Sequence, residues 1–86
     1  MKDGVAKRVR ARSEGDCEAR LEVCQGRAAH LHHRQLRSQG GQDTEANLLH
    51  LCFKCHEWAH LHPKEANEKG LIVKSWQDPA LIWVRP

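Results

Sequence analysis

Cysteine and histidine are concentrated in the stretch "LCFKCHEWAH", residues 51–60. This stretch contains three patterns at once: the C-x-x-C of a zinc knuckle, the C-x-x-C-H of haem attachment and the H-E-x-x-H of a metalloprotease. Each pattern includes side chains that bind a metal, because thiolates and imidazoles are common ligands of transition metals. The remainder of the chain decides which pattern has chemical meaning.

The cysteines form two pairs, one with six residues and one with two residues between its members, separated by a 27-residue insert. Four thiolates around one tetrahedral zinc make a closed site that stabilises a fold and excludes substrate. A short chain with a limited core often needs such a metal. We therefore predict one structural zinc, with four ligands: Cys17, Cys24, Cys52 and Cys55.

Other uses of the cysteines are unligated thiols, redox chemistry by one pair, and haem attachment. Haem attachment to C-x-x-C-H follows export, and the first 16 residues contain no apolar signal segment. A haem pocket also needs apolar walls, whereas the chain has one Phe, one Met and no Tyr. We expect a reducing cytoplasm, in which cysteine pairs are more often metal ligands than disulfides.

The histidines of this stretch suit a second metal. His56 and His60 are four residues apart on a predicted helix over residues 53–62, so both imidazoles leave the same helix face. Cys55 lies about 100° round the helix from His56, so one helix can supply two different metals. The metalloprotease pattern would use Glu57 as a base, but it also needs a third ligand and a cleft. We predict Glu57 to be a surface residue.

Three further histidines, His30, His32 and His33, lie in the predicted strand "AAHLHHRQL". Neighbouring side chains of a strand point to opposite faces, so one histidine could complete a metal site while another acts as a general base. An imidazole with an ordinary pKa near 6.5 is largely neutral at pH 7 and suits that task. Such a base beside a three-histidine metal site is suited to phosphodiester hydrolysis. We expect His30, like His50 and His62, to be a packed or surface residue.

Charge distribution favours a polyanionic partner. The formal net charge is +3, yet no acidic residue lies between Glu22 and Asp43, where three arginines and three histidines occur. Such a local basic patch is typical of nucleic-acid binding, although a solvated surface is the alternative interpretation.

The 86 residues indicate one small α+β domain, which we place at residues 16–86 after a basic, poorly ordered arm over residues 1–15. "LLHL" is predicted to be a second strand, "PKEANEK" a short second helix, and "LIVKSW" and "ALIWV" two further strands. The longest apolar run, residues 80–84, is too short to cross a membrane. We expect no membrane association.

Residues 31–60, "LHHRQLRSQGGQDTEANLLHLCFKCHEWAH", resemble the HNH nucleases of the ββα-metal type. "HHR", "RSQGG", Asp43, "NLL" and "LCFKCH" occur in the family's order and spacing, and with Cys17 and Cys24 the match covers most of residues 17–62. The resemblance implies a ββα-metal core over about residues 29–62, stapled by the structural zinc. The flanking segments are similar to small stand-alone HNH proteins of phages and prophages, many of them encoded beside packaging terminases.

The resemblance implies a role for each matching residue. His33 would be the general base, and Asn47 would hold the loop of the ββα unit and orient that base. His32, His56 and His60 would bind a catalytic divalent metal, and His32 stands where the family often has Asp. An all-histidine site is softer and favours nickel, zinc or manganese alongside magnesium. Phosphate contacts are expected from three arginines: Arg27, Arg34 and Arg37.

The implied activity is metal-dependent endonuclease cleavage of double-stranded DNA. One active site nicks one strand, so a double-strand break needs two successive nicks or two protomers. We expect the protein to be a monomer or a weak dimer. The resemblance also implies DNA processing or packaging with terminase partners in the cytoplasm of a phage-infected or prophage-carrying bacterium. The alternative is a zinc-dependent DNA-binding or terminase-accessory module without catalysis.

Overall fold

The structure, a computed structural model, describes residues 4–84. Two strands form an antiparallel hairpin, β1 (His30–His33) and β2 (Leu48–Leu51), which is followed directly by helix α2 (Phe53–Leu61). Helix α1 (Val5–Ser13) precedes this unit and helix α3 (Pro63–Glu68) follows it. The expected small α+β fold with a ββα core is thereby confirmed.

The hairpin register positions the histidines of β1. His30 lies opposite Leu51 and His33 opposite Leu48. The predicted bounds of α2 are close to the observed ones, because Pro63 cannot continue α2 but suits the first turn of α3. None of the helices within residues 4–84 is both long and apolar enough to cross a bilayer.

Side chains of β2 alternate between two packed faces. Leu49 and Leu51 belong to a core cluster that also contains buried cysteines and Ala59 of α2. Leu48 faces the other side, where it packs with side chains of α1. The hairpin is therefore covered on both faces, which accounts for the burial of every residue of β2.

The first corrected prediction concerns the amino-terminal segment. The sequence predicted a poorly ordered arm over residues 1–15, but residues 5–13 form α1, and residues 1–3 lie outside the described part. Val5 and Val9, four residues apart, are buried against Leu48. Arg12 also donates hydrogen bonds to the Leu48 carbonyl, at 2.7 Å, and to the Glu18 carboxylate. The many basic residues of this segment led us to predict disorder, because the apolar face of the helix consists of few residues.

The second corrected prediction concerns the carboxy-terminal segment. Neither "LIVKSW" nor "ALIWV" is a strand within the described residues; instead, residues 71–78 are irregular and Pro79–Leu81 is a 3-10 turn. Leu71 and Val73 are fully buried, so the alternation in the sequence indicated burial correctly. The backbone finds partners outside a sheet: the Val73 amide donates to the Arg34 carbonyl at 2.8 Å.

Candidate functional site

The four cysteines converge on one point. The Sγ atoms of Cys17, Cys24, Cys52 and Cys55 all lie within 4.8 Å of one another, and none of these residues is in a disulfide. The long first loop closes because the Cys17 amide donates to the Gly26 carbonyl at 2.8 Å and Arg20 adopts a left-handed conformation, with φ of 51°. The cysteines are therefore positioned to bind a metal, as predicted.

Backbone amides stabilise the thiolate form that a zinc ligand needs. Cys52 Sγ accepts hydrogen bonds from the amides of Gln25 and Cys55, both at 3.3 Å. Burial alone would raise the pKa of Cys52, but these amides, together with hydrogen bonds from the thiols of Cys55 and Cys17, outweigh it and lower the pKa to about 7. The donor set, its burial and these amides fit a structural zinc.

A second group, His32, His56 and His60, has its ligand atoms within 4.8 Å of one another. His56 Nε2 and His60 Nε2 are 3.2 Å apart. Two imidazole nitrogens bound to one tetrahedral zinc lie about 3.3 Å apart, given Zn–N bonds of about 2.0–2.1 Å. The spacing of these side chains fits a shared divalent cation.

The backbone selects the tautomer of His32. Its Nε2 atom lies 2.7 Å from the carbonyl oxygen of Leu71. A carbonyl can only accept, so Nε2 carries the proton and Nδ1 keeps the lone pair that a metal requires. Burial, more than the neighbouring histidines, lowers the pKa of His32 to about 4. His32 is therefore held in its neutral, ligand-competent form.

His30 has a role that the sequence did not predict. Its Nδ1 atom lies 3.1 Å from Nδ1 of His56, while Nε2 of His56 faces His60. His30 therefore contacts a histidine of the metal group from outside, where it restrains the ring of His56. Burial and the neighbouring His60 and His30 lower the pKa of His56, which favours its neutral form.

His33 is held by Asp43. The two side chains meet at 2.7 Å between Nε2 and Oδ1. A carboxylate accepts, so Nε2 carries the proton and Nδ1 keeps a lone pair. Hydrogen bonds from His33 and from Arg37, which donates to Oδ2 at 2.6 Å, lower the pKa of Asp43 and keep it ionised. The sequence suggested only a turn at Asp43, and its position within the family pattern was the available signal.

Asn47 ties together the two ends of the loop between the strands. Its Oδ1 accepts from the Gln35 amide at 2.7 Å, and its Nδ2 donates to the carbonyls of Gln35 and Gln42 at 3.1 and 2.9 Å. Gly41 allows the close approach, since a Cβ there would lie 1.8 Å from the Gln35 carbonyl oxygen. Asn47 is 1% exposed, and its side chain holds the loop that carries Asp43; its part in orienting the base stays a prediction.

The third corrected prediction concerns Arg34, which the sequence assigned to phosphate binding. Its side chain is buried, with 4% of the residue exposed, and its guanidinium donates to four backbone carbonyls at 2.5–3.0 Å. These carbonyls belong to Ala46, Gly70, Pro79 and Ile82. Arg34 therefore fastens the carboxy-terminal segment to the hairpin and cannot reach a phosphate in this conformation.

We expect Arg34→Lys to destabilise the protein by roughly 3 kcal/mol, because one ammonium cannot replace a planar fork and leaves buried carbonyls without donors. Chemical denaturation would measure the loss. Arg37→Lys is the matched control, since the Arg37 side chain is 65% exposed and its replacement should cost under about 1 kcal/mol. Unchanged stability of Arg34→Lys with weaker DNA binding would instead support the phosphate role.

The two other predicted phosphate contacts are accessible. The side chains of Arg27 and Arg37 are 76% and 65% exposed, and each forms an ion pair, Arg27 with Asp16 and Arg37 with Asp43. The Arg27–Asp16 pair is exposed at both ends and therefore weak, whereas the Asp43 end of the Arg37 pair is only 15% exposed; both guanidinium groups are open to a phosphate. DNA contact by these two arginines remains a prediction.

A hairpin whose first strand carries a carboxylate-held histidine, and whose following helix supplies further histidines beside a cysteine cluster, defines a ββα-metal nuclease domain. The family model for HNH endonuclease matches residues 16–65. The match spans more than half of the chain, and the chain belongs to this family. No curated protein and no solved structure is significantly similar to it.

Proposed function

We propose that this HNH family member is a metal-dependent endonuclease that hydrolyses phosphodiester bonds of double-stranded DNA. The observation that best supports the proposal is the arrangement of β1. His32 carries its ligand lone pair on Nδ1, while His33, the next residue, has its Nε2 proton held by Asp43. One strand thus supplies both a metal ligand and a base.

In this reaction His33 acts as the general base. Its Nδ1 lone pair takes a proton from the attacking water, and Asp43 holds the ring and stabilises the imidazolium that forms. Asn47 acts one step further out, because it fixes the loop that carries Asp43.

The catalytic cation would be held by Nδ1 of His32 with the Nε2 atoms of His56 and His60. A bound divalent ion would neutralise charge on the scissile phosphate and on the leaving 3′ oxygen. Three imidazole ligands suit nickel or zinc, whereas magnesium or manganese prefers oxygen ligands and would complete its coordination with water and phosphate oxygens.

Plasmid relaxation tests the proposed activity. Purified protein should convert supercoiled plasmid to the relaxed form when magnesium, manganese, nickel or zinc is added, because one active site cuts one strand. The new ends should carry 5′-phosphate and 3′-hydroxyl groups. If no metal supports plasmid relaxation and the protein still binds DNA, the result would favour a zinc-dependent DNA-binding module without catalysis.

Asp43→Asn should lower kcat about tenfold or more and leave KM within about twofold, because an amide cannot stabilise the imidazolium as a carboxylate does. The hydrogen bonds from His33 and Arg37 lower the pKa of Asp43 below its ordinary 3.8, so the wild-type carboxylate is ionised at every pH of the assay and the difference should persist across that range. Nicking rates measured against pH would test this. Asp78→Asn is the matched control, since the described contact of the Asp78 carboxylate is the hydrogen bond that it accepts from the Ala80 amide. An unchanged kcat in Asp43→Asn would exclude the role.

We further propose that the biological setting is phage DNA processing or packaging in a bacterial cytoplasm, with the protein acting as a monomer or weak dimer. This proposal rests on the resemblance of the flanking segments to small phage and prophage HNH proteins. A pull-down with the large terminase subunit tests the partner, and the same pull-down with His33→Ala separates binding from catalysis.

A further inference from the structure

An aromatic ring and a lysine project from the tip of the zinc knuckle. Phe53 and Lys54 lie between Cys52 and Cys55, and Phe53 is 50% exposed. The Lys54 ammonium lies 5.8 Å from the centre of the Phe53 ring. Its only described ion pair is with Glu57, at 3.8 Å, and both side chains are about half exposed, so this pair is weak.

A row of ring contacts connects this tip to the metal group. The rings of Phe53 and His30 meet edge to face at 5.9 Å between centroids, and those of His30 and His56 at 5.0 Å. Phe53 is therefore two ring contacts away from a predicted ligand of the catalytic metal. The exposed ring is therefore within reach of a strand bound at the metal group.

The knuckle holds the ring in place. Cys52 and Cys55 both belong to the cysteine cluster, and the Cys55 amide donates to Cys52 Sγ at 3.3 Å. α2 begins at Phe53, so the backbone of the tip is already ordered. A group that stacks on Phe53 would therefore lose little affinity to ordering of the protein.

We propose that Phe53 and Lys54 form a subsite for one unpaired nucleotide next to the scissile phosphate. The base stacks on the Phe53 ring and the Lys54 ammonium contacts the adjoining phosphate, which is a common way of binding single strands without sequence preference. A base inside a duplex has both faces covered by its neighbours and cannot stack on this ring. The inference rests on the proposed nuclease function and adds a preference, within double-stranded DNA, for sites where a nucleotide is unpaired, such as a gap, a flap or a locally melted stretch of a supercoiled plasmid.

Binding of a labelled oligothymidylate and of a duplex of equal length, followed by fluorescence anisotropy, tests the subsite. The protein carries one equivalent of zinc, enough for the cysteine site alone, and all variants are made in a His33→Ala background, so the result does not depend on cleavage. Phe53→Ala should weaken single-strand binding about tenfold, because a base–aromatic stack is worth about 1–3 kcal/mol. Its effect on duplex binding should stay below twofold. Leu61→Ala, which truncates another exposed apolar side chain of α2, should change neither affinity.

Two further variants keep the test decisive. Phe53→Leu preserves apolar bulk without a ring face, so it should reproduce the selective loss even if the alanine variant loses zinc. Lys54→Gln should reduce the slope of log affinity against log salt for the single strand by about 0.7, the value for one lost phosphate contact. Unchanged single-strand affinity in both Phe53 variants, or an equal loss on both DNAs, would overturn the subsite.

The outcomes separate this inference from the proposed function. Protein that binds single strands through Phe53 but cuts neither supercoiled plasmid nor a gapped duplex with any metal retains the subsite and refutes the nuclease. Protein that nicks DNA while both Phe53 variants bind single strands normally retains the nuclease and refutes the subsite.

Discussion

Replacement of His33 by Ala should abolish plasmid nicking and leave folding and DNA binding nearly intact. A general base contributes about 10²- to 10⁴-fold to a rate, and the residues around His33 offer no second imidazole hydrogen-bonded to a carboxylate in this way. The side chain is 21% exposed and its described contact is with Asp43, which keeps Arg37 as a partner. Truncation therefore removes chemistry and little packing.

Nicking rates, thermal unfolding and DNA affinity should be measured together for this variant. His62→Ala is the matched control, because His62 is exposed and stands outside the histidine group. It should nick at the wild-type rate. Undiminished nicking by pure His33→Ala would refute the assignment of the base, and loss of folding would show that His33 has a structural role.

Loss of the structural zinc should unfold the protein. Zinc bound by such sites in small domains contributes about 10–16 kcal/mol, whereas the net stability of a whole domain is about 5–15 kcal/mol. Cys52 is fully buried and accepts two amide hydrogen bonds, so Cys52→Ser removes a ligand from the centre of the core. We expect this variant to lack zinc and cooperative unfolding, and we expect a strong chelator to have the same effect on the wild type.

Zinc stoichiometry and circular dichroism would measure this effect, and readdition of zinc to the chelated wild type should restore the fold. His60→Ala is the control for loss of the other metal, because His60 is exposed and its removal should spare the cysteine cluster. That variant should stay folded and nick poorly. A Cys52→Ser protein with wild-type zinc content and melting temperature would contradict a structural role for the cysteine site.

The four cysteines and the His56–His60 pair were predictable from sequence because a metal demands particular residue types at close quarters, whereas His32 was assigned through the family resemblance. Thiolates and imidazoles at helical and knuckle spacing point to a shared centre wherever the rest of the chain goes. Asn47 was predictable through the family pattern, because its place between Asp43 and the zinc knuckle is part of that pattern. Asp43 itself was harder to interpret, because an acidic residue in a polar loop also suits an ordinary turn.

The failed predictions depend on distant parts of the chain. Arg34 looked like a phosphate ligand because the backbone carbonyls that accept its hydrogen bonds lie up to 48 residues away, and the sequence does not show that they come close to it. The carboxy-terminal strands failed for a related reason: the apolar residues of "LIVKSW" signalled the burial of Leu71 and Val73, but within residues 4–84 no strand pairs with this segment or with "ALIWV", whose Leu81 and Trp83 are exposed. α1 was missed because Val5 and Val9 make a narrow apolar stripe among arginines. The sequence alone does not show that this stripe packs against Leu48.

The Leu71 carbonyl that sets the tautomer of His32 lies beyond the part of the chain that the family model covers, which ends at residue 65. A fragment cut at that boundary would contain every proposed ligand and the base. Without the Leu71 carbonyl, however, the proton of the His32 ring could lie on either Nδ1 or Nε2. Arg34 would also lose three of its four acceptors, those after residue 69. We therefore expect the smallest fragment with the proposed activity to be longer than the part that the family model matches, and a shortened or transplanted version should keep the chain at least through Ile82.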